Sequence, residues 1–147
     1  KYGKHIEVQP NVTYSVNQNV DYKTELNNEV TQHGNTHIVF SPDWISGIRF
    51  HYFPVDNIRL SLYNKFVGEQ FMNNENSTSS LLEAYNVTDF QFNYEFGIGP
   101  FKKIRLTAMV NNVLDTEYVS NGYMWGSTPY YYPQATRNYM LALGLDF

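Results

Sequence analysis

Hydrophobic and polar residues alternate along most of this chain with a period of two. Between residues 6 and 23 the even positions are apolar with one polar break, whereas the odd positions are all polar. Only a pleated strand sorts alternate residues onto two faces, because a helix would scatter them around its circumference. The pattern therefore predicts a β-strand over residues 6–23, which is long for a soluble protein.

Five further segments repeat this alternation, at 44–53, 58–67, 85–96, 104–111 and 137–147. Short connections that contain Pro or Gly lie at 54–57 and 97–103, and long polar connections lie at about 24–43, 68–84 and 115–136. We therefore predict an all-β fold, an antiparallel up-and-down meander with its long loops on one side. We expect residues 1–147 to form one section of a β-barrel domain, with no internal boundary.

The apolar face of this sheet has two interpretations. In a soluble β-sandwich it would pack on a core, and in a membrane barrel it would contact lipid while the polar face lines a wet lumen. Predicted strands of about 9–12 residues match the roughly 9–11 residues of a tilted membrane strand. Aromatic residues near several strand ends match the girdles of such barrels, and this favours a transmembrane barrel. An aromatic last residue, Phe147, is typical of the final strand of outer-membrane barrels, where it acts as an assembly signal.

Composition narrows the classes of protein further. The 147 residues carry a net charge of −4, so the chain has no basic surface for nucleic acid. The absence of cysteine removes disulfides, thiolate zinc sites and cysteine nucleophiles. No apolar run approaches the roughly 18 residues of a membrane helix. No catalytic motif is present, so we predict neither an enzyme nor a bound cofactor or metal.

Five segments resemble elements of one known family. The stretch 110–118, VNNVLDTEY, resembles the N-L-F-D-x-x-Y element late in TonB-dependent outer-membrane receptors, although Val113-Leu114 departs from the usual Phe. Segments 131–139 and 144–147 resemble the loop before the last strand and the end of that strand. Segments 40–44 and 65–74 are similar to a Pro-containing strand lead-in and to a strand-top element. These segments span most of the chain from residue 40 onward, in the family's order.

The resemblance implies a 22-stranded barrel with an N-terminal plug, of which this chain matches the last six strands. Such receptors stand in the bacterial outer membrane and import scarce nutrients, such as siderophore iron, haem, cobalamin or glycans. We therefore expect this chain to be the C-terminal barrel section, in contact with outer-membrane lipid. Its implied partners are the remaining strands and plug, on the same or another chain, the nutrient, and an inner-membrane energy-coupling complex that the N-terminal part engages. Two alternatives stay open: a small complete outer-membrane barrel or pore, and a soluble β-sandwich that binds carbohydrate.

Two groups of residues are candidate sites. The predicted extracellular loop at 120–134 is rich in aromatic residues. These would either stack on a ligand at the cell surface, or form part of an aromatic girdle and pack within the loop. They are Tyr123, Trp125, Tyr130, Tyr131 and Tyr132. The second group is predicted to face the lumen, where its members would guide an anionic ligand or, in the favoured interpretation, pair with one another, with the plug or with water. It comprises Arg49, Arg59, Lys65, Glu95 and Arg105.

Overall fold

The computed structural model of the protein describes residues 5–146. The segments in which apolar and polar residues alternate form β-strands. The only helical element in this range is a 3₁₀ turn at Thr78–Ser80. The strands are β1 (Ile6–Tyr14), β2 (Gln18–Leu26), β3 (Glu29–His37), β4 (Trp44–Val55), β5 (Ile58–Val67), β6 (Gln70–Phe71), β7 (Leu81–Leu82), β8 (Tyr85–Ile98), β9 (Phe101–Asn111), β10 (Val119–Trp125), β11 (Thr128–Pro133) and β12 (Asn138–Asp146).

Six of these strands form the main sheet, in the order β1-β4-β5-β8-β9-β12. Every neighbouring pair is antiparallel, so the sheet is an up-and-down meander. The prediction of an antiparallel, all-β meander is confirmed. The two short connections are tight turns at one end of the sheet, and the three long connections all leave from the other end.

The prediction of one strand over residues 6–23 is wrong. β1 ends at Tyr14, opposite Trp44, where its partner β4 begins. The chain then leaves the sheet: the Ser15 amide donates to Asp43 O at 3.0 Å, and the Ile38 amide donates to Asn17 O at 3.0 Å. β2 pairs with β3 instead, because a strand needs a partner for its backbone groups and β4 offers none beyond Trp44.

All three long connections contain strands of their own. β2 with β3, β6 with β7, and β10 with β11 form separate two-stranded sheets beyond the long-loop end of the main sheet. The turn between β2 and β3 is made by Asn27 and Asn28, both with positive φ, of 52° and 66°. Asparagine tolerates this left-handed conformation, so the Asn-Asn pair is the sequence signal for this hairpin, which the alternation of apolar and polar residues does not reveal.

The main sheet has one apolar and one polar face, as its register shows. One cross-strand row on the apolar face runs Val8, Phe50, Leu62, Phe90, Val110, Tyr139. This face is not covered by the described part of the chain. Leu141, Leu143 and Leu145 are 78%, 64% and 42% exposed, whereas a β-sandwich would bury them in a core. None of the helical structure in residues 5–146 is long and apolar enough to cross a membrane.

The outer strands of the main sheet are its edges. Over residues 5–146, β1 pairs with β4 alone and β12 with β9 alone, so these strands do not join each other to close a ring. Each edge leaves a row of backbone amides and carbonyls without a strand partner. A complete barrel made by this sheet alone is therefore contradicted by its topology.

Candidate functional site

A concavity of about 600 Å³ lies on the polar face, next to the long-loop end of the sheet. Three neighbouring strands place Arg49, Tyr63 and Asp89 side by side in one cross-strand row along its wall. Lys65 lines the same space from β5. Alternation explains this arrangement, since residues two apart on β5 point to the same face. These four residues give the concavity two cations, one carboxylate and one of its phenols.

Two tyrosines form another part of the wall of this concavity. The rings of Tyr85 and Tyr118 are stacked, with centroids 4.5 Å apart and planes 29° apart. Tyr118 lies in the connection before β10, where burial, followed by the Asp89 carboxylate, raises the pKa of its phenol. This phenol therefore stays neutral at physiological pH and can donate a hydrogen bond to an anion.

The predicted charged residues all lie on the polar face, but they differ in their pairing. Lys103 Nζ is 2.6 Å from Glu95 Oε2, and Arg105 Nη2 donates to Asp146 Oδ1 at 3.0 Å. In both contacts the partner, Lys103 or Asp146, lies outside the predicted group. Arg49, Arg59 and Lys65 form no ion pair with any residue of the described chain. Of these three free cations, Arg49 and Lys65 line the concavity.

The histidines have ordinary polar partners. His51 Nδ1 lies 2.8 Å from the Ser61 hydroxyl, and His33 Nε2 lies 2.9 Å from the Thr24 hydroxyl. His37 Nδ1 lies 3.4 Å from Asp43 Oδ1. Within residues 5–146 no three His, Asp or Glu side chains converge in a geometry that would hold a metal ion.

The aromatic loop at 120–134 is an ordered hairpin, formed by β10 and β11. Its register places Tyr123 opposite Tyr130, and Tyr131 opposite Gly122. Side chains alternate between the two faces, so Tyr123, Tyr130 and Tyr132 share one face and Tyr131 projects from the other. The structure thus brings together three of the predicted tyrosines and separates the fourth. Trp125, at the tip, is 76% exposed.

The other face of this hairpin packs on the connection between β5 and β8. Gly122 is buried there, and a Cβ added to it would lie 2.6 Å from the Met72 sulfur and 2.5 Å from Tyr130 O. Gln70 Nε2 donates to Ser120 O at 3.3 Å. The same connection contacts the first long connection, because Asn76 Nδ2 donates to His37 O at 3.0 Å. The three long connections therefore form one packed layer, and the third lines the concavity through Tyr118, Ser120 and Gln134.

The motif segment 110–118 explains how this layer is attached to β9. Asn112 is 2% exposed, has φ of 52°, and bonds Thr116 twice: its Nδ2 donates to Thr116 O at 2.8 Å, and its Oδ1 accepts the Thr116 amide at 2.9 Å. Asp115 Oδ1 accepts the Arg137 amide at 2.8 Å. Both ends of the loop that contains β10 and β11 are thereby fixed at the rim. Phe147, the predicted assembly signal, lies outside the described residues.

Replacing Asn112 by alanine is expected to destabilise this rim by about 2 kcal/mol, because it leaves two part-buried backbone groups of Thr116 without their partner. The matched control is Asn111→Ala. The Asn111 amide makes one exposed bond, to Asn138 Oδ1 at 2.8 Å, so its loss costs little. Urea unfolding of both variants in lipid vesicles measures the difference, and equal destabilisation would contradict the role of Asn112.

The comparisons with known proteins come from solved structures. No family model matches the chain, and no curated protein matches it in sequence. In fold it matches the siderophore receptor PiuA from Acinetobacter baumannii, with a TM-score of 0.77 and 14% identity over 97% of this chain and 20% of that one. It also matches the ferric yersiniabactin uptake receptor FyuA from Yersinia pestis, with a TM-score of 0.73 and 17% identity over 100% of this chain and 22% of that one.

A third match is the ferripyoverdine receptor of the outer membrane of Pseudomonas aeruginosa, with a TM-score of 0.62 and 17% identity over 97% of this chain and 18% of that one. This chain spans about a fifth of the length of these receptors. Its fold is that of a section of the barrel wall of TonB-dependent outer-membrane receptors, and the fold implied by the sequence motifs is confirmed.

Proposed function

We propose that this chain is the C-terminal section of the barrel of a TonB-dependent receptor, and that the receptor imports a scarce nutrient across a bacterial outer membrane. The single observation that carries the proposal is the match in fold of nearly the whole chain to about a fifth of each of several outer-membrane receptors. The proposed role is transport and recognition, without catalysis. The remaining strands, the plug and the contact with the energy-coupling complex are supplied by the rest of the receptor.

The faces and edges of the main sheet support a place in a membrane barrel. An uncovered apolar face is stable against lipid, and aromatic pairs occur near both ends of that face. Tyr14 and Trp44 are 4.5 Å apart at the long-loop end, and Tyr94 and Phe96 are 4.9 Å apart toward the other. Bare edges are not tolerated in hydrocarbon, so further strands next to β1 and β12 would close the ring.

The nutrient that we propose is an anionic, siderophore-like iron chelate. The concavity offers the free cations Arg49 and Lys65, together with the neutral phenol of Tyr118. Positive groups in a partly enclosed polar space attract anions more strongly than the same groups in bulk water. The receptors that match in fold are named for siderophores, which agrees with this choice.

The test of this function is growth on iron chelates. Cells that make the receptor as their sole iron receptor would grow on at least one of ferric citrate, a ferric catecholate and a ferric hydroxamate. Arg49→Ala and Lys65→Ala would each weaken binding of that chelate about tenfold, since a charge-assisted hydrogen bond contributes roughly 1.5 kcal/mol or more. Titration of the purified receptor with the same chelate measures these changes.

The matched control for this test is Arg59→Ala. Arg59 is a third free cation on the polar face, but it lies outside the concavity. The Arg59→Ala receptor should therefore bind the chelate with a Kd within about twofold of that of the unmodified receptor. An equal loss in Arg59→Ala would assign the effect to overall charge. Growth on none of the chelates would reject the proposed nutrient class.

A further inference from the structure

A row of tyrosine rings covers one face of the hairpin formed by β10 and β11. Tyr123 and Tyr130 are stacked, with centroids 5.0 Å apart and planes 9° apart, and Tyr132 lies 6.0 Å from Tyr123 at 36°. Tyr123 is thus the central ring of three, which we call the tyrosine row. Each ring remains about half exposed. The contacts between the rings hold them in place, so a ligand would meet a preformed aromatic surface.

Within residues 5–146, the hairpin does not use this face to pack on other segments. Its docking contacts are made from the opposite face, by Gly122 against Met72, and from its base, by Ser120 O. Exposed aromatic clusters on the surfaces of proteins commonly mark binding sites. The tyrosine row is therefore available for a ligand, and its orientation is fixed by the packing on the other side.

The charges around the tyrosine row define the kind of ligand. Between Glu117 and Arg137 the sequence contains no Asp, Glu, Lys or Arg. The polar groups of this segment are amides and hydroxyls. Asn121 is opposite Tyr132 in the register, and Thr128 is opposite Trp125, so both lie on the face of the tyrosine row. This segment therefore offers a charged ligand no ion-pair partner, whereas the concavity offers Arg49 and Lys65.

A neutral sugar has the complementary chemistry. The C–H groups on one side of a pyranose ring carry partial positive charge and pack on the negative face of an aromatic ring. Its hydroxyl groups lie around the rim, where amide and hydroxyl side chains exchange hydrogen bonds with them. We propose that the tyrosine row, with Trp125, Asn121 and Thr128, binds a neutral saccharide. This goes beyond the proposed function, because the site would bind sugar whichever nutrient the barrel imports.

The experiment is a binding measurement on the receptor that contains this chain, purified in lauryldimethylamine oxide, a detergent without a sugar head group. It is titrated with neutral hexasaccharides of glucose in α and β linkage, mannose, galactose and xylose. We expect at least one to bind with a Kd on the order of 1 mM or tighter. Tyr130→Ala should weaken that binding about tenfold, because it removes one stacking surface.

Tyr131→Ala is the matched control. Tyr131 is the next residue along the chain and is 47% exposed, compared with 45% for Tyr130. It projects from the other face of the hairpin. The control variant should leave the affinity within about twofold. Tyr130→Phe, which keeps the ring, should bind nearly as well as the unmodified protein and guards against misfolding of the alanine variant. The proposal is overturned if no hexasaccharide binds, or if the two alanine variants weaken binding equally. Retained chelate uptake with lost sugar binding would separate this site from the proposed transport function.

Discussion

Replacing Leu143 by arginine is expected to destabilise the barrel by about 2–4 kcal/mol, which is the cost of an arginine on the lipid face near the middle of the bilayer. Leu143 lies in the middle of β12, opposite Leu106, on the apolar face. It is 64% exposed, so a face in contact with water would accept arginine at almost no cost. The size of the effect therefore reports what contacts this face. Urea unfolding in lipid vesicles, followed by tryptophan fluorescence, measures it.

The matched control is Ala142→Arg, on the adjacent residue. Ala142 lies opposite Thr107, on the polar face, where a long cation can reach water in a wet lumen. We expect it to cost less than about 1 kcal/mol. Similar stability of the two arginine variants would contradict the assignment of the apolar face to lipid. Such a result would indicate that both faces of the sheet contact water.

Replacing Gly122 by alanine is expected to release the hairpin of β10 and β11 from the layer of long connections. The added Cβ would overlap Tyr130 O at 2.5 Å, and this atom is backbone that cannot move without breaking the hairpin register. Overpacking of this kind costs about 3 kcal/mol when the neighbour cannot yield. Limited proteolysis should then cut within residues 119–134, and the tyrosine row should lose its saccharide affinity.

Gly144→Ala is the control for this substitution. A Cβ at Gly144 would meet only Arg105 side-chain atoms, at 3.6 Å or more, which is ordinary contact. This variant should keep the proteolysis pattern and the stability of the unmodified protein. Resistance of the Gly122→Ala hairpin to protease would show that the loop can absorb the methyl group, and would remove the argument that its packing orients the tyrosine row.

The sequence predicted the main sheet well because strand pairing and face assignment both follow from alternation. Five of the six predicted segments correspond to β4, β5, β8, β9 and β12, with ends that differ by a few residues. The error over residues 6–23 has a physical cause. Alternation persists from β1 into β2, but a strand is limited by its hydrogen-bond partner, and partner identity is not written in the period.

For the candidate sites, the sequence likewise predicted the face of the sheet on which the charged residues lie, but not their partners. Sequence placed Arg49, Arg59 and Lys65 together on the polar face, but it did not separate the charged residues that form ion pairs within the chain from those that do not. Pairing depends on what lies across the strands: Glu95 meets Lys103, and Arg105 meets Asp146, whereas Arg49 and Lys65 have no carboxylate within ion-pair distance in the described chain.

By itself, the sequence determined the all-β fold, the two faces of the sheet and the end at which its long loops lie, because each follows from local periodicity and connection length. Only the tertiary structure decided that the long connections are paired hairpins packed on one another. It also decided that three tyrosines share one face while Tyr131 leaves by the other, and that Asn112 and Gly122 are buried. These features depend on register and on contacts between distant segments, and a one-residue change in register moves every side chain to the opposite face.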